Sequence, residues 1–257
     1  MSLTVVVLAK NEAANIEACL DSAAGADEFL VIDDHSDDDT AELALAKGAR
    51  VLRRKLDDFS SQLNYAAGEA SGEWIFILDA DERFTPGLMA AIRSHMAAGP
   101  VAAGRVVRDN FAFGRQHRFG PLKPDGITRL FPRTAVRWEG LVHPHSHCGL
   151  PEKVLGRLIH FTYKDWNHYF RKLDQYAALW AQNAHEQGRR VGPAGAWARL
   201  MWNQFKMFIL NGGLLGGPVC WALCFLNGEY TLKKYLKLLD LNRTAPARPA
   251  PLSGEAQ

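Results

Sequence analysis

Two apolar runs that do not alternate with polar residues, Leu3–Ala9 and residues 74–78, most restrict what this chain can become. Both are short and rich in β-branched or aromatic residues, the pattern of strands covered on both faces in a parallel sheet. The segments between them carry helical spacing. Apolar residues at Ile16, Cys19, Leu20 and Ala23 predict a helix over 15–24. A strand at 29–32, a helix over 39–47 capped at Asp39-Thr40 and closed by Gly48, a strand at 50–52 and a helix over 60–70 follow. This alternation predicts an α/β protein built on a doubly wound, mostly parallel sheet. Ligands of such sheets bind beyond the carboxyl ends of the strands. Those ends fall at Ala9 to Glu12, at Asp33-Asp34, and at Asp79-Ala80-Asp81.

Composition narrows the class. The 257 residues are 47% hydrophobic and 23% charged, ordinary globular usage for one large domain or one domain with an appendage. A formal net charge of +2 argues against a general nucleic-acid-binding surface. The four cysteines form no CxxC pair, so neither a zinc ribbon nor a thioredoxin spacing is present, and a reduced cytosolic protein is expected. Lys10 cuts the first apolar run short, so it reads as a buried strand and not as a signal peptide. Charge is nevertheless uneven. Residues 21–42 carry nine carboxylates and no Lys or Arg, whereas residues 105–137 carry eight cations against Asp109 and Asp125. Two solvated surfaces would explain this, and so would one cleft lined by both.

Asp79, Asp81 and Glu82 stand together at the tip of the second apolar run. Negative charge gathered there is costly without a cation. Mg²⁺ or Mn²⁺ typically takes one or two carboxylates and fills its shell with water and phosphate oxygens, which a nucleoside diphosphate supplies. The plainer reading makes Asp81 and Glu82 the cap of a helix near 86–96.

The segments Val5 to Glu12, Val31 to Thr40 and Leu78 to Glu82, in this order and spacing, resemble the inverting glycosyltransferases of family 2, the third segment matching that family's DxD motif. The likeness continues through Pro124 to Phe131, Trp138 to His143, His160 to Tyr163 and a Lys-Tyr-Leu-Lys ending at Lys237. Those are marks of the branch similar to lipopolysaccharide core glycosyltransferases. The resemblance implies a GT-A fold and a UDP- or GDP-sugar donor. By position, Ala9 and Glu12 would border the nucleotide, Asp33 would bond the base, Asp79 would meet the ribose or the metal, and Asp81 would bind the metal. Asp125 would be the general base that takes the acceptor's proton, although Pro124-Asp125-Gly126 is also a ready turn sequence. His143 would be a further metal ligand, and its alternation with His145 and His147 leaves a zinc site as a lesser alternative. Two departures stand out. Pro144 replaces a Glu of the family, and Leu63 stands where relatives commonly have Arg before Asn64. A donor-side phosphate contact would then pass to Arg53 or Arg54.

The division expected is a catalytic domain over 1–160, donor-binding to 100 and acceptor-side beyond, a helical extension over 161–243, and a disordered tail over 244–257. Residues 207–228 carry no charge, yet the glycines at 212, 213, 216 and 217 argue against a simple span of about 20 residues. Peripheral contact at the inner face of the cytoplasmic membrane is expected, with a buried or homo-oligomer surface as the alternative. The leading function is transfer of one sugar to a cell-envelope glycolipid or oligosaccharide. A DxD phosphatase, against which Arg83 argues, and an acceptor-binding scaffold with a decayed site are the other readings.

Overall fold

A computed structural model of the chain describes residues 1–99, 102–140 and 145–244. The chain divides between Trp166 and Asn167 into two compact units. The first contains β1 (Leu3–Ala9), α1 (Ile16–Ser22), β2 (Glu28–Asp33), α2 (Thr40–Ala46), β3 (Arg50–Arg53) and α3 (Phe59–Glu69). It continues through β4 (Trp74–Asp79), β5 (Glu82–Phe84), α4 (Leu88–Ala97), β6 (Ala103–Ala112) and β7 (Arg115–Gln116). β8 (Asp125–Pro132), β9 (Arg137–Glu139), β10 (His145–His147) and β11 (Glu152–Tyr163) complete it. The second holds almost all of α5 (Trp166–Glu186), with α6 (Pro193–Phe205) and α7 (Gly217–Thr244).

Nine strands of the described residues form one mixed sheet in the order β3-β2-β1-β4-β8-β6-β11-β5, with β7 paired to β6. The expected parallel core is its first half: β1 runs parallel to β2 and β4, and β2 to β3. β8 enters antiparallel between β4 and β6, and β5 closes the far edge antiparallel to β11. β11 runs parallel to β6 but slips by one residue: Val154 lies opposite Arg105, whereas Gly156 lies opposite Val106.

The unbroken apolar runs are explained by cover on both faces. Val5 and Val7 of β1, with Phe76 and Leu78 of β4, pack against Ile16 and Leu20 of α1 and Leu88, Ile92 and Met96 of α4. Their neighbours Val6, Ile75 and Ile77 point the other way, onto Leu63, Ala66 and Ala67 of α3 and onto Phe131 and Trp138. Each large side chain buried this way contributes about 1.5–3 kcal/mol.

Several expectations are corrected. Asp81 and Glu82 cap no helix, because Glu82 begins β5 and α4 starts after Gly87, whose φ of 85° suits a residue without Cβ. The cap before α2 is made by Asp38, which accepts from Thr40 N at 3.1 Å, and not by the side chain of Asp39. The boundary placed at 160 moves, because β11 continues to Tyr163. The tail expected over 244–257 lies outside the described residues except for Thr244, which ends α7.

Candidate active site

Register sets the three motif ends side by side. Ala9 lies opposite Asp33 and Leu8 opposite Asp79, so the ends of β1, β2 and β4 share one edge. The turn after β1 passes through Asn11, whose φ of 55° is in the left-handed region that Asn tolerates. It is laced to the turn after β2: Asn11 N donates to Ser36 Oγ at 2.9 Å, Glu12 N to Thr40 Oγ1 at 2.8 Å, and Ala13 N to Asp38 at 3.1 Å. The carbonyl of Ala9 accepts from Asp34 N at 2.9 Å, and Lys10 pairs with Asp34 at 2.9 Å. Glu12 Oε2 accepts from Asn15 at 2.6 Å. Asp33 is fully buried, bonded to Ser36 Oγ at 2.5 Å and 3.6 Å from Arg53 Nε. A base contact by Asp33 therefore requires Ser36 to give way.

Among the described residues, six of the nine acids of 21–42 pair with Lys10, Lys47, Arg50, Arg53 and Arg93, none of them a cation of 105–137. The basic segment meets the other acids. Glu82 is fully buried, with Arg129 at 2.7 Å and Arg108 at 3.6 Å. Its Oε2 also accepts from Asp79 N at 3.1 Å, which fastens the turn between β4 and β5. Burial pushes the Glu82 carboxyl above its ordinary value, with the Arg129 charge opposing. Burial alone would lower Arg129, yet Asp79 and Glu82 outweigh it and hold the guanidinium protonated above its ordinary value. Asp79, at the strand tip, is thereby paired to Arg129. The Nε of Arg129 is buried with no hydrogen-bond partner among the described residues.

Asp125 opens β8 directly opposite Arg108 of β6. Arg108 grips it through both oxygens, Nη2 to Oδ2 at 2.5 Å and Nε to Oδ1 at 3.3 Å, and Asn110 Nδ2 adds a bond at 3.1 Å. Burial would raise this carboxyl, but Arg108 and Asn110 prevail and hold it below the usual carboxylate range. A cleft of about 350 Å³ begins one residue beyond, lined by Arg105, Gly126, Thr128, Trp138 and Glu152 among others.

A row of cross-strand partners joins the far strands: Glu82 lies opposite His160, and His160 opposite Asn110. Asn110 Nδ2 donates to Lys123 O and Asp125, so its Oδ1 is left to accept from His160 Nδ1 at 2.7 Å. That bond makes Nδ1 an N–H donor and leaves Nε2 facing Asp81 Oδ2, 3.5 Å away. An unprotonated imidazole nitrogen and a carboxylate oxygen facing each other at that distance are a pair that a cation can share. Carboxylate plus imidazole, with positions left for phosphate oxygens, is a donor set that Mn²⁺ accepts and Mg²⁺ tolerates. Among the described residues no group of three or more His, Cys, Asp or Glu is placed to hold a metal ion, so any ion here would rest on this pair and on its other ligands.

The remaining candidates divide. The site brings Asp79, Asp81, Glu82 and Asp125 together with residues to which sequence reasoning gave no role: Arg108, Asn110, Arg129 and His160. The available signal was β6 itself, where Arg105, Arg108, Asp109 and Asn110 interrupt an otherwise apolar strand. Asn64 holds structure instead, donating to Trp138 O at 2.8 Å and accepting from Trp138 N at 3.0 Å, so a donor contact would have to displace one of these bonds. Arg53 lies near Asp33 and Glu42, and Arg54 pairs with Asp57, both in local ion pairs. His143, expected as a metal ligand, lies outside the described residues, as does Pro144. His147 lies 3.9 Å from Glu139 in the separate β9–β10 pair.

The parallel first half of the sheet, with β8 and β5 antiparallel beside it, is a GT-A-like α/β architecture, and the comparisons agree on that fold. The sequence model described as Glycosyl transferase family 2 matches residues 4–150, more than half of the chain, and the chain belongs to that family. An uncharacterized glycosyltransferase of Rickettsia bellii is 33% identical over 231 residues, covering 81% of this chain and 76% of its own. The lipopolysaccharide core biosynthesis glycosyltransferase LpsC of Rhizobium meliloti is 26% identical over 203 residues, 74% of each chain. A TPR repeat-containing protein of Synechococcus elongatus is 32% identical over 144 residues, 55% of this chain, which spans only 34% of that longer protein. Among solved structures, the mannosyltransferase PcManGT of Pyrobaculum calidifontis, in complex with GDP-Man and Mn²⁺, superposes with a TM-score of 0.56 at 16% identity. It covers 92% of this chain and 86% of its own, and shares the GT-A-like fold.

Proposed function

We propose that this chain is an inverting glycosyltransferase that moves one sugar from a UDP- or GDP-sugar to a hydroxyl of a cell-envelope glycolipid or oligosaccharide, on the cytoplasmic side. The observation that carries the reading is the line that runs from Asp81 in the β4–β5 turn to His160 of β11, and from His160 through Asn110 to Asp125 of β8. The GDP-Man and Mn²⁺ of the Pyrobaculum enzyme support a sugar nucleotide and a divalent ion here, and the LpsC likeness supports the acceptor class. Asp81 and His160 would hold the ion. Bound, it would neutralise charge developing on the departing diphosphate. His160 is offered as a ligand beside the expected His143, which lies outside the described residues.

The chain's own residues do the rest. The laced turns at Ala9–Glu12 and Asp33–Ser36 form a fixed edge against which the nucleoside would rest. Asp125 accepts the proton from the acceptor hydroxyl as that oxygen attacks the anomeric carbon opposite the leaving group. Its partner Arg108 keeps it ionised and ready. The acceptor would approach Asp125 at the start of β8. A phosphatase reading fits less well, because Asp79, the nucleophile it needs, is paired to Arg129.

The test is transfer of label from a panel of nucleotide sugars, with and without Mn²⁺. Asp125→Asn should lower turnover by roughly 100-fold or more, in line with the loss of a general base, while thermal stabilisation by the donor persists. A variant with near-normal turnover would remove Asp125 from this role.

A further inference from the structure

The second unit carries an apolar surface that its own helices do not cover. α6 ends in a π-helical turn over Lys206–Leu210, and glycines with φ of 66° at Gly212 and 76° at Gly217 turn the chain into α7. Trp197, Trp202 and Phe205 stand exposed on the first arm, Leu215 at the turn, and Trp221 and Phe225 on the second. Leu215 is 75% exposed, Phe225 63% and Trp202 61%, the reverse of what a helix pair turned toward a core would show. The patch is continuous. Trp202 and Phe205 pack ring to ring at 5.7 Å, Phe208 bridges the arms to Phe225 at 5.0 Å, and Trp221 Nε1 donates to Leu214 O at 3.1 Å.

Charge identifies the occupant. From residue 187 to residue 228 there is no Asp or Glu, and the ionised side chains are Arg189, Arg190, Arg199 and Lys206. A second copy of the same face would set cation against cation across an apolar contact. An anionic bilayer complements both features: indole and phenyl rings settle at the headgroup level, and each Lys or Arg gains from the surface potential. Among the described residues no single helix is long and apolar enough to cross a bilayer, and the two arms meet at a bend of 63°. The shape suits lying in the interface, not passing through it.

We propose that the bent pair formed by α6, the turn 206–216 and α7 as far as Gly228 inserts its aromatic face into the headgroup region of an anionic lipid surface. This docking is independent of the catalytic reading. The purified full chain should sediment with vesicles of phosphatidylcholine containing about a third phosphatidylglycerol, and roughly ten-fold less with phosphatidylcholine alone. Lys206→Glu should weaken binding to the anionic vesicles by about ten-fold and leave the neutral ones unaffected, since reversing one charge changes the electrostatic attraction twice over. Trp202→Ser combined with Phe225→Ser should lower binding to both. These side chains face outward, so far-UV circular dichroism should match the parent, and should the double variant unfold, the Lys206→Glu and lipid-composition comparisons decide. The proposal is overturned if the parent chain stays in the supernatant with excess anionic vesicles. It is equally overturned if the face instead forms a dimer that the double substitution dissolves.

Discussion

At the scale of single residues, the site is governed by who holds whose proton. Asp125 is an exposed enough carboxylate to meet an acceptor, yet the Arg108 fork keeps its pKa below the usual range. A base must be unprotonated to act, so activity limited by Asp125 should persist as pH falls through the ordinary carboxylate region. Arg108→Met removes the stabilising cation and leaves the raising effect of burial. The acid limb of kcat/KM against pH should then move upward by about one unit or more. A profile with an unmoved acid limb would show that Arg108 does not set the ionisation of the base. Asn110 performs a different service at the same scale. By donating to Asp125 and accepting from His160, it fixes one residue's charge and the other's tautomer together.

At the scale of elements, close approach and register matter more than composition. Gly72 sits where the chain enters β4 beside β1, and a Cβ there would lie 2.7 Å from Thr4 N and 3.0 Å from Trp74 O. Backbone cannot swing aside as a side-chain tip can, so Gly72→Ala should cost about 1–3 kcal/mol. Gly68, inside α3 with nothing within 4 Å of its would-be Cβ, is the control. Gly68→Ala should stabilise by up to ~1 kcal/mol, because alanine suits a helix better. Urea unfolding of the two variants should move in opposite directions, and a Gly72→Ala midpoint equal to the parent's would refute the packing account. The same contrast explains what the sequence reveals. β1, β2 and β4 with their helices are readable because each carries its own period and its burial on both faces is written as an unbroken apolar run. β5 has three residues, two of them charged, and exists only because β11 pairs with it. Arg108, Asn110 and His160 become neighbours through pairing across about 50 residues, and no local pattern announces such a meeting. The acids at Asp79, Asp81 and Asp125 were visible as chemistry, whereas the cations and the asparagine that organise them were visible only as charge or not at all.

At the scale of the whole molecule, many small ion pairs set the response to acid. Arg93 holds Asp27 low, Arg157 holds Asp109 low, and Thr128 with Arg105 holds Glu152 low. For each, the folded pKa lies below the unfolded one, so its stabilisation is full above the ordinary carboxylate pKa. It is lost as pH falls through the lower folded values. Glu82 works in the opposite sense, since burial raises its pKa and protonation relieves the cost, but it is one group against several. Urea midpoints should therefore stay level from neutrality down to about pH 5 and decline below about pH 4. A decline already under way near neutrality would contradict this balance.

One extra residue in β11 has wide reach. Had the strand kept the offset it has at Val154, His160 would lie opposite Phe111, and the asparagine that fixes its ring would be out of line. The slip near Leu155 thus acts as a phase shim for everything downstream. Side chains around it are free to drift, but gain or loss of a single residue there would retune the whole strand at once, like a frame error in a reading tape.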